Sequence, residues 1–325
     1  MKFELLNKSF PYDTDLKITL EPSYRCNQQC WFCTEYDNNS KDYTINDIDN
    51  IIIKLKEILN TLKIKTLFIY IYGGEPTLNI NLFYMLKELD KLIFNYNFDK
   101  SLIQIQSNLS ISTDRLLEIS RYTFNTKLEI CSSYHVGYQS VKTFLDKLDI
   151  LNNYNKLGYC FVNSDYTQED RFIEEFNILS KKYPDKIKIR FTEVELNFKN
   201  KDKISKYPKM DKKDLFEFEY KYFSNKYTYL LNYLEDKFTF NFDDKVLNYS
   251  ELVGKSLNYF RMFKCEAGKK SIVIDHQLIV YPCTHYAKYN ICSKKLEDFN
   301  INDLKSNYCL LYRCYDGLEF KKWKN

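Results

Sequence analysis

Between Leu16 and Glu195, short apolar runs alternate with longer segments in which apolar residues recur every three to four positions. No other feature constrains the fold as tightly. The predicted strands are Leu16–Leu20, 67–72, 102–107, 128–133, 157–162 and 187–195. Helices are predicted from Thr44 onward and over 82–95, 113–120, 141–151 and 169–181. Thr44 reads as an N-cap, with Asp47 three residues on and an apolar stripe through Ile48, Ile51, Ile52, Leu55 and Leu59. Parallel strands joined by helices must bury both faces of their sheet, so the pattern predicts an α/β domain over 1–196. In a barrel-like arrangement of such repeats, chemistry gathers where strands end and loops begin.

The rhythm breaks after Leu196. Residues 197–262 are charged and aromatic without a repeat and read as a bridging region. From Phe263 a hairpin is predicted over 271–275 and 278–281, turning at His276-Gln277, inside a small C-terminal unit, 263–325. A chain of 325 residues has room for one large domain and one small one.

Charge excludes some partners. Lys and Arg number 48 against 44 Asp and Glu, a net charge of +4. The signs are interspersed, and even the basic run 199–213 reads as a solvated loop, so no nucleic-acid partner is expected. No segment reaches the roughly 18 apolar residues that span a bilayer. Met1-Lys2-Phe3-Glu4 has no long apolar stretch behind it. No membrane partner is therefore expected, and the location is expected to be cytoplasmic. In a reducing compartment, ten cysteines point to metal or catalysis before disulfides.

Cys26-Asn27-Gln28-Gln29-Cys30-Trp31-Phe32-Cys33 follows the first predicted strand. Three thiolates with these gaps can wrap one inorganic centre. On a four-iron cube they would leave one iron open to a substrate. A structural zinc is the alternative, and it wants a fourth protein ligand. The three histidines, His135, His276 and His285, all lie far from this loop in sequence.

Cysteine gaps of three and two, an aromatic residue before the third, and Gly73-Gly74-Glu75-Pro76 after the second strand together resemble the radical SAM superfamily. The resemblance covers about 15–196. It implies a partial (β/α)6 TIM-like barrel that holds S-adenosylmethionine (SAM) on a 4Fe–4S cluster ligated by Cys26, Cys30 and Cys33. It further implies that the methionyl amino and carboxylate groups chelate the open iron. One electron from the reduced cluster then breaks the C5′–S bond, and the 5′-deoxyadenosyl radical takes a hydrogen atom from the substrate. Phe32 would pack near the adenine. Glu75 would pair with the SAM amino group, in a turn shaped by Gly73, Gly74 and Pro76. Asn108 stands where relatives carry Thr-Asn-Gly, with Leu109 in place of the Gly. Ser133 would meet the ribose, which puts His135 and Val136 where relatives have Asp-Gly. Arg190 would face either the SAM carboxylate or solvent. His135 is a candidate proton carrier or a hydrogen-bonded structural histidine. Cys131 and Cys160 are candidate hydrogen donors or small buried hydrophobes.

Phe263-Lys264-Cys265-Glu266-Ala267-Gly268 and Tyr281-Pro282-Cys283 resemble the start of the SPASM/twitch extensions, which carry auxiliary clusters. Five cysteines in this region fit the one-cluster twitch form. The implied ligands of a second 4Fe–4S cluster are Cys265, Cys283, Cys309 and Cys314, with Cys292 as substitute; a zinc-held tail is the alternative. A fully ligated cluster suits electron transfer or a structural role.

The expectation is a radical SAM enzyme that abstracts hydrogen from a small-molecule, sugar-derived or peptide substrate, for oxidation or rearrangement. A flavodoxin or ferredoxin would serve as reductase. About 25 residues precede Cys26, short for a leader-peptide recognition domain, which favours a small molecule or a peptide bound without one. RNA modification and a non-catalytic electron carrier are the competing readings.

Overall fold

The fold is seen in a computed structural model whose described residues are 2–5, 11, 13–30, 33, 37–163, 168–190, 239–248, 262–284, 287, 293–308 and 322–323. The chain opens with β1 (Lys2–Leu5) and then runs through β2 (Leu16–Leu20), α1 (Ile45–Thr61), β3 (Thr66–Ile71), α2 (Leu82–Tyr96) and β4 (Lys100–Ser107). It continues with α3 (Thr113–Arg121), β5 (Lys127–His135), α4 (Val141–Asn153), β6 (Leu157–Asn163), α5 (Glu169–Lys182) and β7 (Ile187–Arg190). Strands β2 to β7 lie side by side in chain order and all parallel, as a singly wound α/β sheet requires.

The predicted caps and stripes explain why these segments stop where they do. Thr44 accepts from the Asp47 backbone N–H while Asp47 accepts from the Thr44 N–H, a reciprocal capping box that satisfies two orphan donors. Ile48, Ile51, Ile52, Leu55 and Leu59 are all buried on the face that α1 turns inward. Alternation along the strands separates two environments. Leu16, Ile18, Leu20, Leu67, Ile69, Ile71, Ile103 and Ile105 form one apolar core with the helices. The opposite face carries Lys17, Tyr70, Tyr72, Gln104, Gln106, Glu129, Ser133, Tyr159 and Phe161, several of them half-buried. These pair laterally: Gln104 donates to Glu129 at 3.2 Å, and Gln106 donates to Ser133 at 2.9 Å.

Several boundaries differ from expectation. The fourth predicted strand extends to His135, because Ser133, Tyr134 and His135 pair in turn with Phe161, Val162 and Asn163. The last predicted strand is seen as Ile187–Arg190, and 191–195 lie outside the described residues. Inside the region read as a bridge there is a hairpin, β8 (Thr239–Phe242) and β9 (Lys245–Asn248). Its turn residues Asp243 and Asp244 have φ of 50° and 66°, the left-handed pair that a tight hairpin turn demands.

The C-terminal region supplies β10 (Lys264–Cys265), α6 (Ala267–Lys270), β11 (Ser271–Ile274), β12 (Ile279–Tyr281), β13 (Lys294–Lys295), β14 (Asn307–Tyr308) and β15 (Lys322–Trp323). The predicted hairpin is β11 and β12. Its first strand runs parallel to β2, Ser271 opposite Lys17 and Ile274 opposite Leu20, so the parallel sheet is extended at its first edge. A second, antiparallel sheet has the order β14-β10-β15-β1-β8-β9 and joins the chain's first strand to its last.

Candidate functional site

The cysteine loop leaves β2 at Glu21 and returns at Tyr43, and its two limbs are tied together. Tyr43 N–H donates to Pro22 O (2.9 Å), Tyr24 N–H to the Ser40 hydroxyl (2.9 Å), and Arg25 forms a two-pronged pair with Asp42. The loop is also sewn to the end of β3, where Gly74 N–H donates to Ser23 O (2.9 Å) and Glu75 N–H to Arg25 O (2.8 Å). This close approach is the reason for two glycines. A Cβ on Gly74 would lie 2.2 Å from Arg25 O, and one on Gly73, whose φ is +138°, would lie 2.4 Å from Ser23 O.

Of the three thiols, Cys30 is buried and Cys26 and Cys33 are half-buried. A turn closes between them, Cys33 N–H donating to Cys30 O at 3.0 Å. Burial pushes the Cys26 thiol up to about 11, helped by the nearby Glu75 and Cys33 charges. Burial pushes Cys30 up to about 12, and the Cys33 and Cys26 thiolates add to the effect. Cys26 and Cys30, two buried thiols that resist ionising, belong to a donor set in need of cationic compensation. Among the described residues no group of three or more His, Cys, Asp or Glu side chains is arranged to hold a metal ion. In a four-iron cube each thiolate takes its own iron, so three thiols on one loop suit that group by chemistry. Trp31 and Phe32 lie outside the described residues.

Glu75 is fully buried where β3 and β4 end. Its Oε1 accepts from Thr77 N–H (3.0 Å), the Thr77 hydroxyl (2.5 Å) and the Ser107 hydroxyl (2.8 Å), and its Oε2 accepts from Asn108 N–H (2.6 Å). Burial raises its pKa while these donors pull it back down. Pro76, also buried, starts the short 3-10 turn Pro76–Leu78 that brings Thr77 under the carboxylate. Asn108 bridges the site. Its Nδ2 donates to Cys26 Sγ at 3.6 Å and to Asn27 Oδ1 at 3.3 Å.

The ends of β5, β6 and β7 sort the remaining candidates. Ser133 accepts from Gln106 on the polar face of the sheet. His135 lies one pair further along that face, with Asn163 Nδ2 3.1 Å from its Nδ1. Arg190 is opposite Asn163 in register, and its side chain lies outside the described residues. The two cysteines part company. Cys160 belongs to the apolar core beneath the helices, and burial pushes its thiol up to about 12. Cys131 alternates with Ser133 on the polar face, fully buried, its sulfur filling the space beside Gly158.

At the C-terminus, Cys265 sits on β10, and half-buried Cys283 packs against Val273 and Tyr281. Cys292, Cys309 and Cys314 lie outside the described residues. The hairpin reaches the cysteine loop directly. Glu21 N–H donates to Ile274 O (2.9 Å), and the fully buried Tyr43 hydroxyl lies 2.8 Å from Ile274 O and 3.0 Å from Asp275 O. His276 packs on Tyr24 with ring centroids 4.4 Å apart, and burial lowers its pKa.

The radical SAM superfamily matches residues 20–158, the stretch from the end of β2 to the start of β6. Those residues are a radical SAM domain. A likeness in fold to solved structures reaches further along the chain than that match. An anSMEcpe structure with bound AdoMet aligns with 89% of this chain and 77% of its own, at TM-score 0.56 and 15% identity. SuiB of Streptococcus suis bound to S-adenosylmethionine aligns with 89% of this chain and 65% of its own, at TM-score 0.52 and 15% identity. At these identities the likeness is one of fold. In sequence, the uncharacterized protein MJ0907 of Methanocaldococcus jannaschii is 28% identical over 151 residues, 42% of this chain and 49% of that protein. The chain thus spans about half the length of that relative. Among the described residues no helix is long and apolar enough to cross a membrane.

Three groups at the candidate site were not anticipated: Ser107, Tyr43 and Lys147. Ser107 and Tyr43 carry no local sign of their contacts. Lys147 does, because it falls three residues after Phe144 and four before Leu151, on the stripe that α4 buries.

Proposed function

We propose that Cys26, Cys30 and Cys33 hold the 4Fe–4S cluster on which SAM binds, and that Glu75 and Asn108 form the adjoining wall of the SAM pocket. One observation carries this reading: the β3–β4 ends bring a buried carboxylate and an amide donor to Cys26, so that cluster loop and pocket share hydrogen bonds. Bound there, the cluster and SAM together supply a one-electron cleavage that yields a 5′-deoxyadenosyl radical. The chain's own residues bind and orient. Glu75 Oε2 accepts from Asn108 N–H, and a carboxylate oxygen has a second lone pair, which would pair with the SAM ammonium group. Gly73, Gly74 and Pro76 would hold the turn, Phe32 would cover the adenine, Ser133 on the polar face would meet the ribose, and Arg190 would face the carboxylate. His135, with Asn163 Nδ2 3.1 Å from its Nδ1, would carry a proton, and Cys131 would be the hydrogen donor.

The substrate is proposed to be a small molecule, a sugar derivative or a peptide, oxidised or rearranged after hydrogen abstraction. SuiB solved bound to precursor peptide SuiA, at TM-score 0.50, lends support to the peptide reading. An auxiliary cluster on Cys265, Cys283, Cys309 and Cys314, with Cys292 in reserve, would suit an oxidation by accepting an electron. A flavodoxin or ferredoxin in a reducing, cytoplasmic compartment would deliver the first electron. Anaerobic incubation of the iron-loaded chain with SAM and dithionite tests the reading, with 5′-deoxyadenosine expected. None at full iron loading would leave an electron carrier in its place.

A further inference from the structure

An ammonium group is rarely buried without a partner, because desolvation costs several kcal/mol. Lys147 is buried in the stripe of α4 that carries Phe144, Leu148 and Leu151, each with no exposure at all. Its Nζ donates to Leu109 O at 2.6 Å. Leu109 is itself unusual: its side chain is fully buried and its φ is +55°, the left-handed region that a leucine rarely adopts. The carbonyl just before it, Asn108 O, accepts from Gln139 Nε2 at 2.7 Å. Two successive carbonyls are therefore held by side chains of the 139–147 segment. On its other side the same turn presents Asn108 N–H to Glu75 and Asn108 Nδ2 to Cys26.

We infer that Lys147 is a positioning residue for the SAM pocket: by holding Leu109 O it fixes the left-handed Asn108–Leu109 turn, and the turn sets Asn108 against Glu75 and Cys26. The inference rests on the reading that this pocket holds SAM. A leucine at that φ needs an outside restraint where a glycine would not, and the buried amine supplies one. Its charge also lies close enough to the Glu75 carboxylate for the two to interact favourably.

The test uses the full chain, reconstituted anaerobically. SAM affinity is measured by equilibrium dialysis, and the SAM-induced change in the reduced cluster's electron paramagnetic resonance signal is recorded beside iron content. Lys147→Met keeps the side-chain length and leaves a buried carbonyl unpaired, so affinity is expected to fall about tenfold at unchanged iron content. Lys147→Arg, which keeps a charged donor, is expected to recover part of the loss. Adding Leu109→Gly to Lys147→Met is expected to recover most of it, because glycine holds the turn unaided. Wild-type affinity in Lys147→Met, or a loss that only tracks lost iron, would overturn the inference. Lys147→Gln guards against a Met variant that does not fold: it is expected to bind SAM with intermediate affinity. A folded Gln variant with full affinity beside an unfolded Met variant would make Lys147 a stability residue and overturn the inference. If the wild-type chain at full iron binds no SAM, the pocket reading itself fails and Lys147 falls with it.

Discussion

Cys26, Cys30 and Cys33 share one loop whose limbs are bonded to each other and whose stem is bonded to the end of β3. Cys265 and Cys283 sit in a region assembled from distant parts of the chain, where Cys265 pairs in register with Asn307 on one side and Lys322 on the other. The first group is built locally and then buttressed. The second needs strands from further along the chain before Cys265 is paired. A motif that closes within one loop pays its ordering entropy once, whereas pairings across long separations must close large loops before any contact forms.

The sharpest way to break this comparison is to empty each group in turn. Cys26→Ala, Cys30→Ala and Cys33→Ala together are expected to abolish SAM cleavage and remove the iron of the first centre, measured by 5′-deoxyadenosine yield and iron analysis. Cys265→Ala with Cys283→Ala is expected to lower iron by about four per chain while substrate-free SAM cleavage persists. Zinc in anaerobically purified protein, or full iron after the triple change, would sink the cluster assignment.

Next in size is Gly74→Ala. Its Cβ would meet Arg25 O at 2.2 Å and Tyr24 O at 2.5 Å, both backbone atoms that cannot swing aside. The stem of the cysteine loop must then move, at a cost of about 3 kcal/mol, and most of the first centre's iron should be lost in reconstitution. Unaltered iron loading in this variant would show that the loop holds its shape without the β3 end.

These sites also mark where sequence reading succeeds. The strand–helix rhythm was legible because each helix has its own caps and stripe, as Thr44, Asp47 and Ile48 show. The pairing of Glu75 with Ser107 and Asn108 was half legible: alternation puts Ser107 and Asn108 at a strand end, but nothing local says which carboxylate they meet. The need for glycine at 73 and 74 was half legible: a strand-ending turn is visible, but nothing local says that the chain's own Ser23–Arg25 backbone packs against it. Strands of two to four residues such as Lys2–Leu5 and Lys322–Trp323 carry no periodicity to read, because their partners lie a chain length away. The different settings of Cys131 and Cys160 depend on a register shift between Ile130 and Ser132, which puts Leu157 and Cys160 in the same core although strict alternation would separate them.

The two groups also touch, and Tyr43 is where the contact can be weakened. Its hydroxyl lies against the Ile274 and Asp275 carbonyls of the C-terminal hairpin. Tyr43→Phe keeps the ring and removes the donor, so a cost of about 1–2 kcal/mol is expected in chemical denaturation. If the hairpin buttresses the cysteine loop, the variant should also release iron faster to a chelator. Normal release at reduced stability would separate the two regions after all.

The smallest expected effect concerns the metal-free chain and follows from the raised thiols. Cys26 and Cys30 titrate near 11 and 12 when folded, against about 8.5 in an unfolded chain. Below the unfolded value both states hold their protons and the contribution is fully present. As pH rises above it, the unfolded chain ionises first, so stability falls until the folded thiols titrate in turn. Buried tyrosines and exposed lysines change charge in the same range, so the measured quantity is a difference. The denaturation midpoint of the metal-free wild type should fall more steeply between pH 8 and pH 11 than that of the variant with all three cysteines changed to alanine. Parallel curves would mean that the thiols are neither buried nor coupled in the metal-free loop. The loop would then take its shape only when the centre is assembled, and the locally built group would differ less from the dispersed one than its hydrogen bonds imply.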